Sequence, residues 1–257
     1  MNLELTGKVA IVGGASQGIG FAIASTLAAE GAIVAITARR EPELFAAAER
    51  IRAETGATVL PIAADCRRAQ DCSRVAATVI AQFGGIDVLV NNDGAPPLGA
   101  LEDFDDTAWA KAVEQNLMYV VRMSREVLPS MRSRGGGSIL NIAAVSAIQP
   151  IARFGLSVAT WAGVIGYAKT LSMEVGEANI NVNTICPGYI ATPRIDKVFG
   201  PAADSDAREK LLLDVPMKRM GQPAEIASMV ALLVSAKGRY VTGTSIQVDG
   251  GMTRATH

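Results

Sequence analysis

A chain of 257 residues with 49% hydrophobic content is long enough to bury a substantial core, and α/β chains of this length commonly form one domain, expected here over 1–257. Its 24 Lys+Arg and 25 Asp+Glu leave a net charge of −1, so no basic field recruits nucleic acid or an anionic membrane surface. The opening Met1-Asn2-Leu3-Glu4-Leu5 lacks a cationic stretch followed by an apolar run, and no apolar segment has membrane-spanning length, so the expected location is the cytoplasm. Cys66, Cys72 and Cys186 are an odd set without zinc-ligand spacing, and the one histidine is His257; neither a disulfide framework nor a metal site is expected.

In chain order, a Val/Ile-rich run at Val9–Val12 leads into a helical stretch at Gly18–Glu30, and a second run at Ile33–Thr37 leads into Glu41–Glu54. Val59–Ala63 precedes the helix Ala69–Phe83, and Ile86–Val90 precedes the long helix Thr107–Arg132. Ser138–Ile142 is followed by Leu156–Val175, Ile180–Ile185 by Ala224–Ser235, and Ser245–Val248 closes the series. The runs are near-continuously apolar, as parallel strands covered on both faces must be. Strand-helix alternation predicts an α/β doubly wound Rossmann-type sheet of about seven strands with helices on both faces. Gly31, Gly56, Gly84 and Gly85 follow helices, where a left-handed residue is favoured. The strandless stretch Gly188–Pro223 lies beyond a strand's carboxyl end, where ligands bind in such sheets, and is the expected substrate lid.

The first strand runs into Gly13-Gly14-Ala15-Ser16-Gln17-Gly18-Ile19-Gly20. Gly14, Gly18 and Gly20 allow a tight turn and close approach to a pyrophosphate, whose charge the amides at the following helix N-terminus meet. A bare strand-to-helix turn gives the same glycines, so the motif alone does not decide. The second strand ends Thr37-Ala38-Arg39-Arg40: no carboxylate stands ready for a ribose 2′-hydroxyl, and Arg39 offers a planar fork to a 2′-phosphate, with Arg40 beside it. NADP(H) is therefore expected, unless the two arginines merely solvate a loop.

With these motifs the chain resembles the short-chain dehydrogenase/reductase family over nearly its whole length, with Gly13 in place of the family's Thr. Asn91-Asn92-Asp93-Gly94, Asn116, Pro187-Gly188 with Ile190 and Thr192, Val241-Thr242-Gly243 and Val248-Asp249-Gly250-Gly251 carry the likeness. Most of the chain is similar to 3-oxoacyl reductases. The resemblance implies that Asn92 and Gly94 lie at the nucleotide, that Pro187, Gly188, Ile190 and Thr192 hold the nicotinamide amide, and that Asp65, helped by the Cys66 backbone, meets the adenine. Asp65 is equally readable as a helix cap. A homotetramer or homodimer built on Thr107–Arg132 and Leu156–Val175 is also implied, with a small-molecule substrate.

The same resemblance places Ala144 where the family has its Ser, Ser157 where it has its Tyr and Trp161 where it has its Lys; of the catalytic set only Asn116 remains. Substrate positioner, proton donor and activator are thereby replaced together. Ser146 is either a displaced catalytic Ser or a polar turn residue. Asp93 is either a replacement acid, if burial raises its pKa, or half of an Asp-Gly turn. Lys169 is expected on a solvated face, with Arg153 near the same helix. Three functions fit: an oxidoreductase acting on a carbonyl, hydroxyl or activated alkene with non-standard catalytic residues, a catalytically silent nucleotide-binding subunit, or a non-redox lyase or isomerase using the same pocket.

Overall fold

A computed structural model of the chain describes residues 1–92, 94, 96–195, 209 and 212–255. Residues 196–208, 210 and 211 of the expected lid, and Asp93, lie outside the described residues. The strands are β1 (Val9–Val12), β2 (Ile33–Ala38), β3 (Val59–Ala63), β4 (Val88–Asn91), β5 (Gly137–Ile142), β6 (Ile180–Pro187) and β7 (Ser245–Val248). All pair in parallel in the order β3-β2-β1-β4-β5-β6-β7, the doubly wound sheet read from the sequence. The chain reverses direction across the sheet between β1 and β4, which opens a crevice beyond their carboxyl ends.

Helices α1 (Gly18–Ala29) and α2 (Glu41–Thr55) cover one face together with Pro223–Val234, here α7. That face packs Ile23, Leu27, Leu44 and Ile51 with Val230 against Val12, Val34 and Val90. The other face carries α3 (Ala69–Phe83), α4 (Asp106–Val113), α5 (Tyr119–Ser133) and α6 (Gly155–Val175), and it buries Val79, Tyr119, Met123, Met131 and Val164 against Ile11, Leu89 and Ile139. Burying such side chains on both faces contributes roughly 1.5–3 kcal/mol each, and it explains why the strands read as unbroken apolar runs.

Gly56 and Gly84 close their helices in the left-handed conformation, and Gly31 is left-handed two residues past the end of α1. Gly85 is not left-handed: a Cβ there would stand 2.4 Å from Arg134 Cδ, so close packing holds that position. Arg134 in turn grips Asp87 through two 3.0 Å bonds, while Asp87 Oδ2 accepts the Val9 amide at 2.9 Å. This knot ties the start of β1 to the end of α5.

The helix expected over Thr107–Arg132 is interrupted. A π-helical turn at Glu114–Met118 separates α4 from α5. Its Asn116 is fully buried and donates Nδ2 to Thr160 Oγ1 of α6 at 2.8 Å. Such wide turns occur where a side chain must be aimed away from the regular helical direction. No helix among the described residues is long and apolar enough to cross a membrane.

Candidate functional site

The carboxyl ends of β1, β4, β5 and β6 open into a cleft of about 490 Å³. One end is the glycine turn. Gly14 and Gly18 adopt φ of +57° and +60°, and a Cβ on Gly14 would fall 2.1 Å from the Asn92 carbonyl oxygen. A Cβ on Gly20 would meet the Gly14 carbonyl at 2.4 Å, so the turn closes only on glycine at both places. Asn92 Nδ2 donates to the Gly13 carbonyl at 3.0 Å and pins the β4 loop to this turn. Gln17 precedes α1 without a side-chain cap, and no acidic residue occupies the first turn. The unpaired amides and the positive end of the helix dipole are left for an anion.

Of the residues expected at a nucleotide, Gly14, Gln17, Gly18, Ile19, Arg39, Arg40, Asn92, Gly94, Pro187, Gly188, Ile190 and Thr192 line this one cleft. Ser16, Gly20, Asp65, Cys66 and Asn116 are not among its lining residues. Arg40 is paired with Glu43 at 2.8 Å. Arg39 makes no hydrogen bond or ion pair among the described residues, which leaves its fork available. Asp65 is held by Arg67, whose Nε donates to Oδ1 at 2.7 Å. That contact keeps the carboxyl below its usual pKa, against the opposing effect of burial and with a smaller contribution from Arg39. The helix-cap reading of Asp65 is corrected: α3 begins after Arg68, and Asp65 instead caps a short turn by accepting the Arg67 amide at 3.2 Å.

The other end of the cleft collects Ala144, Ser146, Ser157 and Trp161. Ala144 follows β5, and Ser157 and Trp161 lie one turn apart on α6, which faces both side chains the same way. Trp161 is 5% exposed, and its Cζ2 lies 3.1 Å from where a Cβ on Gly94 would be. Gly94, at φ +117°, also leaves room for Asn116 Oδ1, which a Cβ there would approach to 2.2 Å. Asn116 Oδ1 accepts no hydrogen bond among the described residues, although its amide is engaged with Thr160. Ser146 Oγ is buried and likewise without a partner among them. Lys169 is exposed, as its helical phase predicts, and Arg153 is exposed at φ +69°.

Sequence reasoning missed several lining residues: Gln115 on the π turn, Ile151 and Phe154 before α6, and Tyr189 with Arg194 after β6. Burial raises the pKa of Tyr189, with a smaller push from Asp214. Desolvation alone pulls the Arg194 guanidinium down. The usable signal for Arg194 was its place two residues after Thr192, in a segment already expected to face the ligand.

Residues 14–253 match the family model described as Enoyl-(Acyl carrier protein) reductase. The 3-oxoacyl-[acyl-carrier-protein] reductase FabG of Vibrio cholerae is 37% identical, aligned over 98% of this chain and 99% of its own. L-sorbose reductase from Gluconobacter frateurii, solved with NADPH and L-sorbose, superposes with a TM-score of 0.95 at 35% identity over 99% of this chain and 100% of its own. A 7α-hydroxysteroid dehydrogenase solved with NADH and 7-oxoglycochenodeoxycholic acid gives 0.93 at 30% identity, over 100% and 98% of the two chains.

Proposed function

Since this chain belongs to the short-chain dehydrogenase/reductase family, we propose that it is an NADP(H)-dependent oxidoreductase acting on a carbonyl, hydroxyl or activated-alkene substrate with non-standard catalytic residues. One observation carries this reading: a single cleft runs from the glycine turn and Arg39, unpaired among the described residues, to Ser157 and Trp161 at the carboxyl ends of the strands. The glycine cradle and the uncapped α1 terminus fit a dinucleotide pyrophosphate. Relatives of this fold are solved with NADPH and with NADH alike, so the choice rests on Ala38-Arg39. When bound, the cofactor supplies hydride transfer.

This chain's own residues then bind and orient. Arg39 would hold the 2′-phosphate, Asn92 fixes the loop where the ribose would lie, and Pro187–Thr192 would hold the nicotinamide end. Ser157 offers the substrate a short hydroxyl. At that distance from the backbone, a water or a substrate group supplies the proton that a longer acid would deliver, with Asp93 the other candidate donor. Asn116 holds α6 through Thr160 and keeps the place that the family resemblance gives it in the catalytic set.

Two measurements test this reading. Isothermal titration should show NADPH bound more tightly than NADH, and Arg39→Ala should erase most of the difference; equal affinities in the unmodified protein overturn the cofactor assignment. Simple ketones and β-ketoesters should be reduced poorly, because general-acid catalysis contributes about 10² to 10⁴ in rate. Grafting Ala144→Ser, Ser157→Tyr and Trp161→Lys together should raise NADPH-dependent ketone reduction, and they belong in one variant because residues acting as a unit are not additive. A second reading, a catalytically silent nucleotide-binding subunit, is favoured by the bulk of Trp161 against Gly94. No gain in the folded triple variant, despite intact NADPH binding, would shift weight towards this reading or towards a non-redox lyase, a pocket incompatible with the probe ketones being the other explanation.

A further inference from the structure

The cleft is lined by three arginines, Arg39, Arg40 and Arg194, and by no carboxylate among the described residues. Two of the three are accounted for. Arg40 is paired with Glu43, and Arg39 lies at the end of β2 with its charge felt by Asp65. Arg194 belongs to the opposite side, on the segment that follows β6, and it makes no hydrogen bond or ion pair among the described residues. Much of the residue's surface remains open, yet its guanidinium is crowded enough by protein to be desolvated. A cation partly withdrawn from water with no counter-charge beside it favours the arrival of an anion.

Resting on the oxidoreductase reading above, we propose that Arg194 anchors a carboxylate of the substrate, so that the chain acts on carbonyl compounds, or their alcohols, that carry one negative charge. The pyrophosphate already has its own receptor in the amides at the start of α1, and the Thr192 methyl, not Arg194, is the group packed near Gly18. The cleft that Arg194 lines also carries Ile151, Phe154, Tyr189 and Ile195, and apolar lining of this kind strengthens an ion pair formed within it. The planar guanidinium fork matches a carboxylate through two parallel hydrogen bonds, and one cation balances one negative charge. Ser157, in the same cleft, is the hydroxyl left to meet the uncharged end of such a molecule.

The experiment uses the full chain saturated with NADP⁺ and three probe pairs: 2-oxobutanoate, acetoacetate and 4-oxopentanoate, each against its amide. Calorimetry should show at least one carboxylate bound about tenfold or more tightly than its amide. Arg194→Ala should remove that preference while leaving NADPH affinity within about twofold, and Arg194→Lys should restore part of it. If every carboxylate binds no more tightly than its amide, or none binds, the proposal is wrong. If Arg194→Ala weakens NADPH about tenfold and leaves the acid-to-amide ratio unchanged, Arg194 serves the pyrophosphate and the proposal is again wrong. Absence of NADPH binding in the unmodified protein is a separate result, and it would remove the oxidoreductase reading itself.

Discussion

A Cβ on Gly13 would sit 3.2 Å from the Tyr119 hydroxyl and 3.3 Å from the Asn92 amide nitrogen, so the size of residue 13 is tied to that of residue 119. Gly13 has an ordinary backbone conformation, and nothing in its φ demands glycine. The space does, because Tyr119 is a fully buried side chain of the core beneath the turn. Gly13→Thr should therefore destabilise the protein by about 1–3 kcal/mol through overpacking. Tyr119→Ser alone should cost about as much or more by leaving a cavity. Denaturant unfolding of the double variant should reveal a favourable coupling of about 1 kcal/mol, since neighbours that share one space are not additive. Strict additivity would show that the two positions do not compete. Gly94 presents the same logic at the other end of the cleft, where Asn116 and Trp161 occupy what a side chain would fill.

Elements differ in how plainly a sequence announces them. β1, β3, β7 and α3 fall where their apolar runs and flanking glycines place them, because local pattern and burial agree there. The π turn was not legible, since Thr107–Arg132 reads as continuous helix and the turn's buried Asn116 bonds Thr160 of a helix distant in sequence. Nor did the apolar runs reveal that Asn91 bonds Asn141 at 2.9 Å inside the sheet. The glycine turn was legible because its constraint is local; Phe154, Tyr189 and Arg194 were not, because the segment before α6 and the one after β6 must converge before they share a cleft. Strand β6, buried along its whole length, carries Cys186, whose thiol is pushed up to about 12 mainly by burial and secondarily by Asp249. Its sign follows from proton counting. Above the ordinary thiol value of 9.0 the unfolded chain releases this proton while the folded chain keeps it, so stability is intact below pH 9 and falls as pH rises towards 12. Each pH unit in that window costs up to about 1.4 kcal/mol. Urea unfolding at pH 9 and pH 10.5 should show a smaller loss in Cys186→Ala than in the unmodified chain; equal losses would mean that the thiol does not titrate differently on folding.

For the whole molecule, the exposed face of α6 raises the question of what lies beyond it. Ala162, Gly166, Thr170 and Met173 fall along one side of that helix at intervals of about one turn, and all are exposed, Met173 at 68%. Gly163, by contrast, is spent inside the subunit, where a Cβ would meet Leu117 at 3.3 Å. A Cβ on Gly166 would have nothing within 4 Å, so a large side chain there clashes with no described part of its own chain. We propose that this face pairs with its copy in a homodimer or homotetramer, the small residues allowing two helices to approach closely. Gly166→Glu separates this idea from its rivals. Within one subunit the change should be neutral or stabilising by about 1 kcal/mol, because glycine is a poor helix residue. Across a two-fold contact it brings two bulky carboxylates together. Light scattering at micromolar concentration should find an oligomer for the unmodified protein and a smaller species for Gly166→Glu, with unchanged circular dichroism. An unmodified protein that is monomeric, or an oligomer indifferent to the substitution, would place the contact elsewhere or remove it.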